Sequence, residues 1–177
     1  MEFENEIIKN IQYYFNYEII NNITEYVSKI NISLLIVFTI IFLMYYNVYF
    51  IKNSLNESIK KTQTQIFIII VSFFICLCFK FFLKLKRPFQ INKELMNNEF
   101  KNSYGYDIGI GYSCPSSIIT TVTVIMLEYC KTLRKKYILY IIFIILIFTK
   151  LYLALHFLSH IIFSIILGIG IFAIVNS

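Results

Sequence analysis

The chain is poor in the residues that usually mark linkers, turns and imidazole chemistry. Its 177 residues include no tryptophan, two prolines, two histidines and five glycines. With so little proline and glycine, and with no internal repeat, the sequence offers no flexible linker, so we expect a single domain over residues 1–177. Any histidine chemistry must come from His156 or His160.

The four cysteines have a spacing that fits neither a metal site nor a redox motif. At least three of them fall inside apolar helices, where cysteine behaves as a small hydrophobic residue. We therefore expect neither a disulfide nor a metal centre from Cys76, Cys78, Cys114 and Cys130.

Long apolar runs dominate what is present. Hydrophobic residues make up 58% of the chain, more than a soluble core of this size needs. A spanning helix takes roughly 20 mostly apolar residues, and four runs reach that length: 32–51, 65–84, 137–155 and 157–175. A fifth run, 115–130, is shorter and richer in threonine, and charged turns bound it. The sequence predicts an all-α integral membrane helical bundle with about five transmembrane helices over residues 31–177.

Residues 1–30 have apolar positions at helical spacing but also carry charged side chains such as Lys9, Glu18 and Glu25. This mixture predicts a helix that lies in the membrane interface rather than crossing it. The first residues are acidic and no small-residue cleavage site follows an apolar stretch. We therefore expect no signal peptide.

Lysine and arginine outnumber the acidic residues, which gives a net charge of +6. The basic residues cluster at the ends of apolar helices, where lysines extend toward lipid head groups. We expect membrane lipids as partners and no nucleic acid. If the helices alternate in direction, the end of the second span, the start of the third and the junction between the last two lie on one membrane face. Three polar clusters would then meet there.

The first cluster is KFFLKLKRPF, in which Lys80 and Arg87 are seven residues apart. Two helical turns would place both side chains on one face, where they could hold one anion. Pro88 removes a backbone donor, so the span should end near Arg87. The alternative is that these are ordinary cationic residues at a helix end.

The second cluster is YSCPSSI. Proline favours the first position of a helix, and a helix N-terminus offers free N–H groups, so Pro115, Ser116 and Ser117 would form a phosphate cradle. The alternative is an ordinary helix start.

The third cluster is TKLYLALHFLSH, which contains Lys150, His156 and His160. Ionisable groups at membrane depth cost roughly 2.5 to 3.5 kcal/mol each, so they are functional candidates by default. The two histidines are four residues apart and would share one helical face. Interfacial histidines at a helix start are one alternative. A metal or haem pair is another, although no acidic or cysteine ligand is tied to them by spacing.

Together the three clusters resemble the type 2 phosphatidic acid phosphatase superfamily, whose motifs run K-x-x-x-x-x-x-R-P, P-S-G-H and S-R-x-x-x-x-x-H-x-x-x-D. Lys80, Arg87 and Pro88 match the first motif without change. Pro115 and Ser116 match half of the second motif. In the third motif, Thr149 and Lys150 are conservative changes and His156 matches.

The resemblance implies a membrane phosphatase that hydrolyses a lipid phosphate or diphosphate head group through a phosphohistidine intermediate, without a metal or cofactor. His156 would be the nucleophile. The phosphate would be held by a set of cations and hydroxyl or backbone donors: Lys80, Arg87, Ser116, Ser117 and Lys150.

Three positions depart from the family pattern. Ile118 replaces the histidine that protonates the leaving group, and loss of a general acid removes about 10²- to 10⁴-fold of rate. His160 stands where the family has the aspartate that orients the nucleophile, so it is the second catalytic candidate. Lys150 replaces an arginine and loses bidentate phosphate binding. The alternative function is therefore an impaired member that binds a phospholipid or polyprenyl phosphate without turnover.

Orientation follows from the loops on the opposite face. These carry seven basic residues, Lys52, Lys60, Lys61, Lys131, Arg134, Lys135 and Lys136. By the positive-inside rule the site should face away from the cytoplasm. Because the N-terminal segment resembles the small bacterial members, we expect the plasma or inner membrane of a bacterium.

Overall fold

The computed structural model describes residues 2–29, 55–95, 112–130 and 136–175, and these contain helices and no strand. The helices are α1 (Glu2–Tyr14), α2 (Glu18–Lys29), α3 (Leu55–Leu83), the short α4 (Pro88–Ile91), a 3₁₀ turn (Lys93–Leu95), α5 (Ser117–Cys130), α6 (Lys136–Tyr152) and α7 (Leu158–Val175). The predicted all-helical fold is confirmed for these residues. The predicted span 32–51 lies outside the described residues.

Two described segments are long and apolar enough to cross a membrane, Ile59–Ile91 and Leu158–Val175. Two further helices, Ser117–Glu128 and Leu139–Tyr152, are apolar but shorter. Large hydrophobic side chains such as Phe82, Ile144 and Ile166 are exposed on three of these four segments, as expected where lipid rather than water surrounds a helix. These features suggest a membrane protein, and the count of five spans stays a prediction.

The core of the bundle forms where α5 packs against α7, and α3 and α6 also pack against α5. Gly168 of α7 lies directly against α5, because a Cβ at this position would come within 2.8 Å of the Thr123 Cβ. Since only glycine fits such an approach, this residue sets how closely the two helices pack.

The N-terminal segment is two helices rather than the single interfacial helix that we expected, because the chain turns at residues 15–17. Both helices pack against α6. Gln12 donates its side-chain N–H to the carbonyls of Leu95 and Tyr152, and the Tyr152 hydroxyl donates to Asn21. The segment is therefore tied to the end of α6, close to the third polar cluster.

Candidate active site

Backbone hydrogen bonds join three parts of the chain: the residues after α3, the segment before α5 and the turn between α6 and α7. Ser113 N donates to Leu85 O at 2.7 Å, which joins the segment after α3 to the segment before α5. Phe89 N donates to Ala154 O at 3.3 Å, which joins the start of α4 to the turn between α6 and α7. The three polar clusters of the sequence therefore come together, as the alternating directions predicted.

The prediction that Lys80 and Arg87 share a helical face is wrong, because α3 ends at Leu83. Lys84 closes the helix with φ 49°, a left-handed conformation, and donates its backbone N–H to Lys80 O. Residues 84–87 are not helical, and Arg87 caps the short helix that Pro88 begins. The charge of Arg87 still acts on Lys80, but the non-helical residues 84–87 link the two positions, so helical periodicity does not explain the interaction.

Lys150 approaches from the last turn of α6 and interacts with both Arg87 and Lys80. Its carbonyl accepts hydrogen bonds from Leu155 N at 3.0 Å and His156 N at 3.3 Å. These bonds hold the turn that carries His156 against the end of α6. The motif neighbour Thr149 is fully buried and donates to Ile145 O, so its hydroxyl is used inside the helix.

His156 lies in the turn between α6 and α7 and is only 6% exposed. Burial, followed by the charges of Arg87, Lys150 and Lys80, holds the pKa of His156 well below its ordinary value of 6.5. The imidazole is therefore neutral at physiological pH, with one ring nitrogen carrying a lone pair. A neutral imidazole on which three cations act has the lone pair that a nucleophile toward an anion needs.

The two histidines do not share a helical face, because α7 begins at Leu158 and His156 precedes it. They are joined instead through Ser113, a residue that the sequence analysis did not select. Ser113 Oγ lies 2.8 Å from His160 Nδ1 and 3.5 Å from His156 Nδ1. It also lies 3.3 Å from Leu155 O. This hydroxyl is fully buried.

The predicted cradle at the start of α5 differs from the expectation in one respect. The helix begins at Ser117 and not at Pro115. Ser116 is buried, and its backbone N–H donates to Ser164 Oγ of α7 at 2.7 Å, so that donor already has an acceptor. Ser117 is partly exposed, as is Ile118, which stands in place of the family's general acid.

Two other groups bear on the chemistry. Cys114 follows Ser113 and is buried, which raises the pKa of its thiol to about 11, so it stays protonated and does not compete as a nucleophile.

Glu4 of α1 accepts the backbone N–H of Ser159 at 2.9 Å, at the N-terminus of α7. Its charge also acts on His160.

Within the described part of the chain, no three histidine, cysteine or acidic side chains group closely enough to hold a metal ion. His156 and His160 face a serine hydroxyl between them through their Nδ1 atoms. The geometry is that of a hydrogen-bonded chain.

A model of the PAP2 superfamily matches residues 63–177. The chain belongs to this superfamily, that of the type 2 phosphatidic acid phosphatases. The matched part contains all of the predicted site residues. Membership in the PAP2 superfamily suggests phosphatase activity on phosphate esters. A comparison with curated proteins and one with solved structures found no match.

The PAP2 match begins inside α3, so α1 and α2 lie outside it. Sequence reasoning missed Ser113 and Glu4. Ser113 stands three residues before Ser116 in the second cluster, and its hydroxyl among small residues was the only available signal. Nothing in the sequence linked Glu4 to a serine 155 residues away.

Proposed function

We propose that this PAP2 member is a membrane phosphatase that hydrolyses a lipid phosphate or diphosphate head group through a phosphohistidine on His156. One observation carries the proposal: His156 is buried and neutral, and Lys80, Arg87 and Lys150 all act on it. Because phosphoryl transfer asks the protein mainly for positioning and charge stabilisation, three fixed cations and a free imidazole lone pair are an appropriate set.

The reaction takes two displacements. In the first, the His156 Nε2 lone pair forms a bond to phosphorus, and the bond from phosphorus to the leaving oxygen breaks with its electron pair on that oxygen. In the second, water attacks phosphorus and the electron pair of the N–P bond returns to Nε2. Lys80, Arg87 and Lys150 neutralise the phosphoryl oxygens in both steps, and Ser116 and Ser117 lie at the adjoining start of α5. Side chains supply all of this chemistry without a cofactor.

A diphosphate is the better substrate class for this chain. Ile118 cannot protonate a leaving group, and an alkoxide leaving from a monophosphate needs a proton in the transition state. A phosphate monoester leaving from a diphosphate is already a stable anion. We therefore place a lipid or polyprenyl diphosphate ahead of a lipid monophosphate.

A second function is favoured by two observations. Ile118 replaces the general acid, and the Ser116 N–H is already bonded to Ser164. A protein with these features could bind a phospholipid or polyprenyl phosphate on the same cations without turning it over. Both functions use membrane lipids as partners and neither involves nucleic acid.

We also propose that residues 1–177 form a single domain in the plasma or inner membrane of a bacterium, with the site facing away from the cytoplasm. The support is the set of basic residues predicted on the opposite face, two of which, Lys60 and Lys61, lie in the first turns of α3. Labelling of single cysteines placed between residues 90 and 110 in intact cells tests this orientation. Labelling that requires permeabilised cells would overturn it.

The decisive experiment is phosphate release by the purified protein in detergent from lipid monophosphates and diphosphates. We expect release from the diphosphate, its loss in His156→Ala, and a kcat/KM at least about 10-fold lower in Lys80→Ala, since removing a charge-stabilising group costs several kcal/mol of transition-state binding. Lys60→Ala is the matched control, about 30 Å away on the same helix. Binding of a lipid phosphate that Lys80→Ala weakens, without any release, would favour the second function. Release that persists in His156→Ala would contradict the phosphohistidine.

A further inference from the structure

Two buried imidazoles share one serine hydroxyl at the site. Ser113 Oγ lies 2.8 Å from His160 Nδ1, a full hydrogen bond, and 3.5 Å from His156 Nδ1, the long end of the range. Catalytic hydrogen bonds are often long before substrate binds and shorten in the complex. Ser113, His156 and His160 are all buried, so water does not compete for these bonds.

We propose that Ser113 and His160 together replace the orienting carboxylate that PAP2 enzymes have at position 160. The hydrogen bonds run in one direction, from His156 Nδ1–H to Ser113 Oγ and from the Ser113 hydroxyl to His160 Nδ1. This direction leaves the lone pair of His156 on Nε2, where the nucleophile needs it. This inference rests on the proposed function, for which it supplies a positioning group and a proton acceptor.

The opposite direction of the hydrogen bonds is chemically unproductive. If the Ser113 hydroxyl donated to His156 Nδ1, the ring proton would sit on Nε2 and the nucleophile would be blocked. The shorter distance is the one to His160, which matches donation of the single hydroxyl proton to that ring rather than to Leu155 O at 3.3 Å. We call the hydrogen-bonded chain His156–Ser113–His160 the bridge. It determines which ring nitrogen of His156 carries the proton, and this tautomer can be measured.

His160 can also accept the proton that His156 Nδ1 loses when the phosphohistidine forms. When Nε2 bonds to phosphorus, His156 becomes a phosphoimidazolium that still carries Nδ1–H. That proton passes to Ser113 Oγ as the Ser113 hydroxyl proton passes to His160 Nδ1, which leaves a neutral phosphohistidine and a cationic His160. In the second step both hydrogens of the attacking water stay on the phosphate product, and the proton returns from His160 through Ser113 to His156 Nδ1.

Glu4 supplies the negative charge that the missing aspartate would have provided. Its carboxylate is fixed at the N-terminus of α7 by Ser159 N at 2.9 Å, one residue before His160. It acts electrostatically on His160 and favours the protonated form of that ring. A cationic His160 is thus formed under the influence of a fixed anion.

The bridge can be tested by NMR of the full chain in micelles with ¹⁵N-labelled histidine rings. The chain has two histidines, so the spectrum contains two rings, and His160→Asn leaves only His156. We expect the His156 proton on Nδ1 in wild type and on Nε2 in Ser113→Ala. Ser72→Ala removes another fully buried serine hydroxyl, one that donates to Ile69 O, and should leave the tautomer unchanged. A His156 proton on Nε2 in wild type, or the same tautomer in wild type and Ser113→Ala, overturns the proposal.

Kinetic measurements distinguish two roles of the bridge, which are orienting the His156 ring and accepting its proton. Ser113→Ala should lower kcat by about 10- to 100-fold with KM nearly unchanged, because the groups that bind phosphate remain. His160→Asn keeps an acceptor near the Nδ1 position but cannot take the proton. It should keep the Nδ1–H tautomer of His156 and still lower kcat. Glu4→Gln should lower kcat while the exposed neighbour Glu6→Gln does not.

Different results would contradict the proposed phosphatase function and the proposed bridge. If wild type releases no phosphate from any substrate, the proposed function fails, and the tautomer of His156 still decides whether the bridge exists. If wild type releases phosphate while Ser113→Ala and His160→Asn keep full kcat, the proposed function stands and the bridge is wrong. Should Ser113→Ala not fold, His160→Ala removes the bridge from its other end and must change the tautomer in the same way.

Discussion

Ser164 Oγ accepts the backbone N–H of Ser116 at 2.7 Å and donates to His160 O at 2.6 Å. One fully buried hydroxyl therefore joins the residue that precedes α5 to the first turns of α7. This junction carries both the predicted phosphate cradle and the catalytic histidine candidate. Its hydrogen bonds fix the distance between them.

We predict that Ser164→Ala lowers the free energy of unfolding by about 1 to 3 kcal/mol, because the buried Ser116 N–H loses its acceptor. Chemical denaturation in micelles measures this change. Ser159→Ala, at an exposed position of the same helix, should change it by less than about 0.5 kcal/mol. Equal effects of the two substitutions would show that the junction contributes nothing.

The close approach of α5 and α7 at Gly168 makes a second prediction. A Cβ there would lie 2.8 Å from Thr123 Cβ and 2.9 Å from Thr120 O, so Gly168→Ala should destabilise the bundle by about 1 to 3 kcal/mol. At Gly170 a Cβ meets nothing within 4 Å, and Gly170→Ala should be neutral or stabilising by up to about 1 kcal/mol from helix propensity. Thermal unfolding of the two variants side by side checks the difference. A stable Gly168→Ala variant would contradict the packing.

The low pKa of His156 predicts how stability depends on pH. Above its ordinary value of 6.5 the residue is neutral in both folded and unfolded chains. As the pH falls through 6.5, the unfolded chain takes up a proton that the folded chain, with its lower pKa, does not. The contribution of His156 to stability should therefore be constant above 6.5 and decline below it. Unfolding midpoints from pH 7.5 to 5 should fall less steeply in His156→Gln, and parallel curves would refute the lowered pKa.

Ile118→His tests the missing general acid. The side chain is partly exposed at the start of α5, so an imidazole can be accommodated there. We expect phosphate release from a lipid monophosphate to rise by at least about 10-fold, with a smaller gain on a diphosphate, because only the first leaving group needs a proton. Ile118→Asn introduces polarity without an acid and should give no gain. Equal gains on both substrates would argue against a role in protonation.

The apolar runs and the charged groups of the site could be identified from the sequence alone. Four of the five predicted spans coincide with described helices, since runs of helix-forming apolar residues bounded by charges are a local property. Lys80, Arg87, Lys150 and His156 were found because their spacing follows the PAP2 motifs. Their proximity was also expected, from the alternating directions of the spans.

The way in which these groups meet was decided by the tertiary structure. Spacing placed Lys80 with Arg87, and His156 with His160, on common helical faces, but the helices stop at Leu83 and start at Leu158. A non-helical segment links the first pair, and the Ser113 hydroxyl joins the second.

Ser113 and Glu4 show most clearly what could not be predicted from the sequence. Ser113 meets the two histidines 43 and 47 residues later in the chain, and Glu4 caps a helix 155 residues away. No periodicity connects such positions, because hydrogen bonds between distant segments depend on how whole helices pack. The sequence determined which chemical groups the site contains, and packing determined which of them orients the nucleophile.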